Sequence, residues 1–242
     1  YVVHNGVDTD VFTPGNHNGT RANGTRRLLF VGRISPEKGL HVLLEAFESV
    51  VNRWPDAQLT IVGPEHVPPL EFIVNLSSEP GVSDLARYYG GSYLSQLREM
   101  LSPQAAERVS FLEPLPHAQL PELYRSADVL VNPSFVETFG MTLVEAMACK
   151  VPVVASRIGG MTEVVENGKQ ATFVEPGKPT DLAAAILHLL GDERLRHQMG
   201  TAGRERAVSL FSWDEVSQQM LEVYRKVMLD GELTEPENLA PH

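Results

Sequence analysis

Six short apolar runs, each of strand length, alternate along this chain with segments of helical periodicity, and no other feature constrains the fold as much. Parallel strands need crossover connections, which are usually helices, so the pattern predicts an α/β protein with a doubly wound, parallel six-stranded sheet. Right-handed crossovers bring the carboxyl ends of all strands to one edge, where open α/β sheets bind ligands. The runs are Arg27–Gly32, Gln58–Gly63, Arg108–Leu112, Val129–Asn132, Val153–Ala155 and Ala171–Val174.

Composition narrows the class of protein. A length of 242 residues with 43% hydrophobic content is enough for one large domain with a full core. The net charge of −11 argues against nucleic acid or an anionic membrane as partner, so a bound phosphate must meet local cations. No apolar run reaches membrane-spanning length. The single cysteine, Cys149, is predicted to lie in the core, and the absence of a visible signal peptide predicts a reducing, cytoplasmic setting.

The two ends of the chain differ in composition from its middle. The first residues start within an apolar pattern and run into a Gly/Asn/Thr-rich stretch, so we interpret 1–25 as a linker from a preceding domain. Irregular Pro, Ser and Gly spacing over about 64–92 predicts an insertion, a surface loop with one short helix around Glu71–Leu76. The other boundaries are a main domain over 26–210, a C-terminal helix over 211–229 and a disordered tail over 230–242.

Apolar residues at helical spacing predict the segments between the strands. His117 is expected to start a helix rather than to bind a metal, because no second His or Cys lies at ligand spacing. The C-terminal part is expected to form three helices that break near Gly191 and at Phe211-Ser212. The predicted helices are Leu40–Trp54, Tyr93–Leu101, His117–Ala127, Met161–Glu166 and the three within Thr180–Met228.

A tight turn through Gly140 leads from the fourth strand into a helix and forms the centre of the candidate site. The peptide N–H groups of 138–142 lack helical acceptors and carry partial positive charge, which favours an anion there. Glu137 precedes the helix and Glu145 lies on it, about 10 Å away along the helical rise. Carboxylates accept hydrogen bonds from hydroxyl groups, so a nucleoside diphosphate sugar fits this order. The alternative is that both acids are solvated helix residues.

Two cations and a glycine pair follow other strands to the same edge. Arg33 comes after the first strand, and Lys38 stands at the predicted start of the next helix, where its charge opposes the helix dipole and indicates another purpose. Both cations are expected to point into one crevice, the alternative being solvated loop residues. Gly159-Gly160 follows the fifth strand and permits close backbone approach to a ligand, although a plain turn is an equal interpretation.

The ordered set of these motifs resembles the donor-binding, C-terminal half of the GT-B glycosyltransferases. The similarity is to the retaining, GT4-like group (glycosyl transferases group 1), which includes sucrose-phosphate synthases and bacterial mannosyl- and glucosyltransferases. It covers nearly the whole chain except the insertion. The motifs are Phe30-Val-Gly-Arg33-Ile-Ser-Pro-Glu-Lys38-Gly, the Glu137/Glu145 pair, Gly159-Gly160-Met-Thr-Glu163 and Phe211-Ser-Trp213.

The resemblance implies roles for individual residues. Arg33 and Lys38 would hold the diphosphate and oppose the negative charge that grows on it, which implies a reaction without a metal or other cofactor. Glu137 would bind a hydroxyl of the donor sugar, the 3-OH, and Glu145 would bind the ribose. The other implied donor contacts are Gly32, Leu115 beside the base, and the main chain of Phe139, Gly140, Met141 and Thr142.

The implied activity is transfer of a hexosyl group, with retention, from a nucleotide sugar to an acceptor. A UDP-sugar is the expected donor because it is common among relatives, although Leu115 replaces an Arg that some members stack on the base. The acceptor site belongs to an N-terminal domain that this sequence lacks, so the fragment is expected to bind donor without turnover. The alternatives are a GT-B nucleotide-sugar epimerase or phosphorylase, and a non-catalytic nucleotide-binding module.

Overall fold

A computed structural model of the protein describes residues 1–15, 24–75, 77 and 81–229. Its centre is a six-stranded sheet in the order β3-β2-β1-β4-β5-β6, and every neighbouring pair is parallel. The predicted doubly wound sheet is therefore confirmed, with the reversal of strand order between β1 and β4. The strands are β1 Arg27–Val31, β2 Gln58–Val62, β3 Val109–Leu112, β4 Val129–Asn132, β5 Val153–Ser156 and β6 Ala171–Val174.

Helices cover both faces of the sheet and bury two separate apolar clusters. Alternation along β1 shows the division, because Leu28 and Phe30 face one cluster and Leu29 faces the other. Helices α1, α3, α4 and α8 supply the first cluster, and α5, α6, α7 and α9 the second. The helices are α1 Leu40–Arg53, α2 Leu70–Ile73, α3 Tyr93–Glu99, α4 Pro103–Ala106, α5 Leu120–Ser126, α6 Met141–Ala148, α7 Met161–Val164, α8 Pro179–Gly191, α9 Glu193–Phe211 and α10 Trp213–Leu229.

The predicted breaks of the C-terminal helices are confirmed. Helix α8 ends at Gly191, and the side chain of Asp192 caps α9 by accepting a hydrogen bond from the amide of Leu195. Ser212 separates α9 from α10. The predicted helix at His117 divides into a 3-10 turn, His117–Gln119, and then α5. Cys149 is buried, as predicted.

Lys38 lies near the predicted helix start, but it is separated from the helix by a turn at Gly39. Pro36–Lys38 is a separate 3-10 turn, and Gly39, with φ of 70°, turns the chain before α1 begins at Leu40. The positive φ reorients the backbone between Lys38 and the helix. Lys38 therefore lies outside the first turn of α1, and its role follows from its contacts.

The insertion is not the surface loop that its irregular spacing predicts. It contains the short helix α2 and a 3-10 segment, Ser83–Tyr89, and it buries Val82 and Leu85 in the core that includes α1. The tyrosine rings that follow pack on the start of α1, with the centroid of Tyr88 4.3 Å from that of His41. Single apolar residues spaced by Pro and Gly give no periodic signal, which explains the error. Leu76, at the end of the predicted short helix, lies outside the described residues.

The N-terminal residues pack on the domain, although the predicted domain boundaries remain predictions. Val7 and Phe12 are buried in the second cluster. The guanidinium of Arg204 on α9 donates to the carbonyls of Thr9, Phe12 and Ala148. Residues 6–12 are therefore fixed to the domain and are not a free tether. The rest of the predicted linker at 16–23 and the tail at 230–242 lie outside the described residues.

Helix α10 contacts α9 and carries an apolar stripe that is open to solvent. Trp213, Leu221, Tyr224 and Met228 are all more than half exposed. No helix in the described ranges is both long and apolar enough to cross a membrane.

Candidate functional site

The loops that follow β1 and β4 are bound to each other at the carboxyl edge of the sheet. The carbonyl of Glu37 accepts a hydrogen bond of 2.8 Å from the amide of Phe135. Gly39 lies so close to the second loop that a Cβ atom there would be 2.1 Å from the carbonyl oxygen of Pro133. The parallel pairing of β1 with β4 brings these two loops side by side. Only a residue without a side chain fits at Gly39.

The clamped loops bring together two of the predicted site residues. The ammonium Nζ of Lys38 donates to Glu137 Oε2 at 2.8 Å, and the side chains are 15% and 17% exposed. Both groups lie partly out of water, where an ion pair is stronger than on an open surface. The residue predicted to bind the phosphate, Lys38, thus lies beside the residue predicted to bind the sugar, Glu137, and the two form an ion pair.

Arg33 is held by an acid that the sequence analysis did not single out as a site residue. Its Nη2 donates to Glu37 Oε1 at 2.9 Å, and the hydroxyl of Ser35 donates to the same oxygen at 2.7 Å. Glu37 is 1% exposed, and its other oxygen, Oε2, has no partner in the part of the chain that the structure describes. The outer part of Arg33 remains accessible. The sequence signal that could have identified Glu37 is its position between two cations, in a loop at the carboxyl edge of the sheet.

The turn into α6 presents its amides as predicted, with one exception. Gly140 adopts φ of 92° as the residue before α6, a conformation that favours glycine. The amide of Thr138 is occupied by Glu137 Oε1 at 3.1 Å, so Thr138 does not belong to the predicted anion seat. Over the described residues, the amides of 139–142 have no acceptor. Four unpaired N–H groups therefore stand at this helix start.

The glycine pair after β5 allows close backbone contact, and the contact is with the protein itself. A Cβ on Gly159 would lie 2.2 Å from the carbonyl oxygen of Glu137, and one on Gly160 would lie 2.0 Å from that of Thr138. A larger residue at either glycine would displace the loop that contains Glu137 and Thr138. The pair therefore supports the backbone that carries Glu137.

Glu145 is a buried residue, and the alternative of a solvated helix acid is wrong. It is 6% exposed, and its Oε2 accepts a hydrogen bond of 2.6 Å from the hydroxyl of Tyr124. Its Oε1 lies 3.2 Å from Nε2 of His117. Burial raises the pKa of Glu145, while the hydrogen bonds from Tyr124 and His117 act in the opposite direction. Sequence reasoning missed both partners, although a buried tyrosine hydroxyl requires an acceptor.

The remaining predicted site residues lie around this edge and differ in burial and in the protein groups that they contact. The amide of Gly32 donates to the carbonyl of Val62, so it is not free to meet a ligand. Leu115 is half-buried in the loop between β3 and His117. The ring of Phe139 stacks on His4 with centroids 5.5 Å apart. Met141 and Thr142 are half-buried in the first turn of α6.

The fold and this edge define a class of protein, which comparison with known proteins identifies. The structure of the chain matches that of sucrose-phosphate synthase from Thermosynechococcus elongatus, with a TM-score of 0.73 and 28% identity, over 95% of this chain and 53% of that one. It also matches the Anabaena protein Alr3699/HepE in complex with UDP and glucose, with a TM-score of 0.71 and 24% identity, over 93% of this chain and 56% of that one. The fold is that of the GT-B glycosyltransferases.

The family model for glycosyl transferases group 1 matches residues 16–206, and the chain belongs to this family. D-inositol 3-phosphate glycosyltransferase from Corynebacterium jeikeium is 35% identical over 234 residues, which are 93% of this chain and 51% of that protein. The protein of the same name from Mycobacterium tuberculosis is 34% identical over 235 residues, which are 94% of this chain and 44% of that protein. The chain thus spans about half the length of the curated relatives it matches.

Proposed function

We propose that this domain binds the donor of a retaining hexosyltransferase, a nucleotide sugar and specifically a UDP-sugar. The observation that carries the proposal is the position of Lys38, Glu137 and four amides, which have no acceptor among the described residues, at the carboxyl edge of the sheet. A diphosphate needs positive groups and a sugar needs hydrogen-bond acceptors. At this edge, Lys38 and the amides at the start of α6 are the positive groups, and Glu137 is the acceptor.

The Lys38–Glu137 pair implies an exchange of partners on donor binding. In the free domain each charge is satisfied by the other at 2.8 Å. A diphosphate carries more negative charge and more acceptor oxygens than one carboxylate, so it competes with Glu137 for the ammonium of Lys38. Glu137 is then released to accept a hydrogen bond from a sugar hydroxyl. The pair thereby couples phosphate binding to sugar binding.

Positive groups fixed at this edge also suit the chemical step. As the bond between the anomeric carbon and the phosphate oxygen breaks, negative charge accumulates on the leaving diphosphate. Lys38, Arg33 and the amides of α6 oppose that charge without a metal ion, and each such group is worth about 2–4 kcal/mol in the barrier of comparable reactions. Glu137 acts as a positioning group for the sugar, and the acceptor attacks on the side of the leaving group, so configuration is retained.

The relatives and the surface of α10 support a two-part protein. The relatives are about twice as long as this chain. The exposed stripe of Trp213, Leu221, Tyr224 and Met228 fits burial against a further domain that carries the acceptor site. Such a domain would also complete the catalytic site. We therefore propose that the isolated chain binds donor without transferring it, and that the protein works in the cytoplasm.

A calorimetric panel of UDP- and GDP-sugars against the isolated chain tests the proposal. The expected result is binding of UDP-glucose or another UDP-hexose, unchanged by chelators, with no transfer to added acceptors. Binding of no nucleotide sugar would contradict the donor assignment. Measurable turnover by the isolated chain would contradict the proposed dependence on a further domain.

A further inference from the structure

We propose that His117 is a displaceable cover on Glu145, and that the ribose of the donor must replace it to reach the carboxylate. The inference rests on the proposed function and deepens it, because it assigns the control of nucleotide affinity to a residue outside the predicted contacts. It starts from the geometry of three side chains, Glu145, Tyr124 and His117.

The two partners of Glu145 differ in how firmly they are held. Tyr124 is 0% exposed, and its hydroxyl donates to Oε2 from within the second apolar cluster. Burial raises the pKa of Tyr124 well above its ordinary value, so this hydroxyl keeps its proton and remains a donor. Tyr124 cannot leave without opening the core. Its bond to Glu145 is a permanent part of the domain.

His117 is held on one side only. Its side chain is 66% exposed, although Nε2 lies 3.2 Å from Glu145 Oε1. The ionised form of Glu145 can only accept, and Nε2 is then the donor in this contact. The ring also touches Phe12, at 5.0 Å between centroids, and Phe12 belongs to the packed N-terminal segment. The imidazole is mostly exposed, so a rotation about the side-chain bonds of His117 would carry it into solvent with the loss of two contacts, those with Glu145 and Phe12.

Access to Glu145 therefore depends on His117. The carboxylate is 6% exposed, Tyr124 occupies one oxygen, and the exposed imidazole occupies the other at the surface side. Oε1 can accept a second hydrogen bond, but the imidazole stands on the exposed side of this oxygen, in the path of a ribose hydroxyl that approaches from solvent. The exchange replaces one N–H donor by one O–H donor and changes no covalent bond. Breaking the contact between His117 and Glu145 costs free energy, which lowers the observed affinity for the nucleotide.

Calorimetry with three variants tests this cover. His117→Ala should bind UDP tighter than the wild type, by about 3- to 10-fold if one hydrogen bond is no longer broken. His117→Gln, whose amide can donate to Glu145, should keep the affinity near that of the wild type. His188→Ala is the matched control, because His188 is an exposed histidine on α8, on the other face of the sheet. It should leave the affinity unchanged.

A second ligand separates a cover from a direct contact. For 2′,3′-dideoxy-UDP, which lacks the hydroxyls that need Glu145, the gain in His117→Ala should disappear. Weaker or unchanged binding of UDP by His117→Ala, in a wild type that binds UDP, would overturn the inference and leave the proposed function standing. A wild type that binds neither UDP nor UDP-glucose would overturn both.

Discussion

The ammonium of Lys38 lies 2.8 Å from Oε2 of Glu137, and these residues come from loops on two strands that are neighbours in the sheet but 99 positions apart in the chain. Each side chain is less than one-fifth exposed. A pair in this setting holds both loops in a defined position before any ligand arrives. It also means that removing one partner changes the charge available to the other, which leads to a prediction of opposite effects on two ligands.

Glu137→Ala should weaken the binding of UDP-glucose without weakening the binding of UDP. Loss of the carboxylate removes the acceptor for the sugar, with an expected loss of about 10-fold or more for a hydrogen bond to a charged group. The same change releases Lys38, so UDP should bind equally well or a few-fold tighter. Calorimetric titration of both ligands measures the difference. An equal loss for UDP and UDP-glucose would exclude a contact between Glu137 and the sugar.

Gly160→Ala should damage the site through the backbone. Gly160 has φ of −64°, which alanine adopts without strain, so the effect comes only from the Cβ atom 2.0 Å from the carbonyl oxygen of Thr138. Relief of that clash displaces the loop that carries Glu137, with a loss of about 1–3 kcal/mol in stability and a lower affinity for UDP-glucose. Thermal unfolding and calorimetry check the two effects.

Gly191→Ala is the matched control for that variant. Gly191 ends α8, and a Cβ atom there meets nothing within 4 Å. The change should be neutral or should stabilise the protein by about 0.5–1 kcal/mol, because alanine loses less entropy in a helix. If Gly160→Ala behaves like Gly191→Ala, the close contact with Thr138 is not a constraint.

Tyr124→Phe should destabilise the domain because it leaves Glu145 Oε2 without its donor in a buried position. The expected loss is about 1–3 kcal/mol for an unsatisfied buried acceptor. In a Glu145→Leu background the hydroxyl has no acceptor, so the same substitution should cost much less. Chemical denaturation of the four proteins in this double-mutant cycle measures the coupling. Additive effects would show that the bond of 2.6 Å contributes nothing to stability.

His41 should make stability depend on pH. It is buried at the start of α1, and the hydroxyl of Tyr93 accepts from its amide and lies 2.7 Å from Nδ1. Burial first, and the charge of Arg87 second, lower the pKa of His41 to about 3. In the unfolded chain a histidine binds its proton below about pH 6.5. The unfolded state therefore binds more protons between these values, and stability falls as pH falls.

The slope from His41 should be about 1.4 kcal/mol per pH unit in that window, and it should end near the folded pKa. His41→Asn keeps an acceptor for Tyr93 but cannot titrate. It should be less stable than the wild type at pH 7 and should lose less stability on acidification. Urea denaturation at several pH values from 7 to 4 gives both curves. Parallel curves would mean that His41 is protonated in the folded protein.

The fold could be predicted from the sequence because its signals are local and repeated. Strand-length apolar runs such as Val129–Asn132 are buried on both faces, and helices between them enforce parallel pairing. The insertion could not be predicted in this way, because Val82 and Leu85 reach the core from a segment without periodicity. Only the three-dimensional path of the chain places them under α1.

The site was predictable in its backbone and less so in its side-chain partners. Gly140 and the helix-forming residues after it indicate unpaired amides, because the first N–H groups of a helix have no acceptor within the helix. That His117 contacts Glu145 depends on how two separate segments pack, and that Glu37 holds Arg33 depends on which nearby acid is buried. No pattern in one sequence records such pairs.

The central claim is that the positive groups beside Gly140 hold the diphosphate of a nucleotide sugar. Titration of UDP into the wild type and into Lys38→Met tests it most directly, because the substitution keeps the approximate length of the side chain and removes its ammonium group. The account predicts that the wild type binds UDP and that Lys38→Met loses about 10- to 100-fold in affinity, as expected for a charge-assisted contact. Equal affinity of the two proteins for UDP would contradict it.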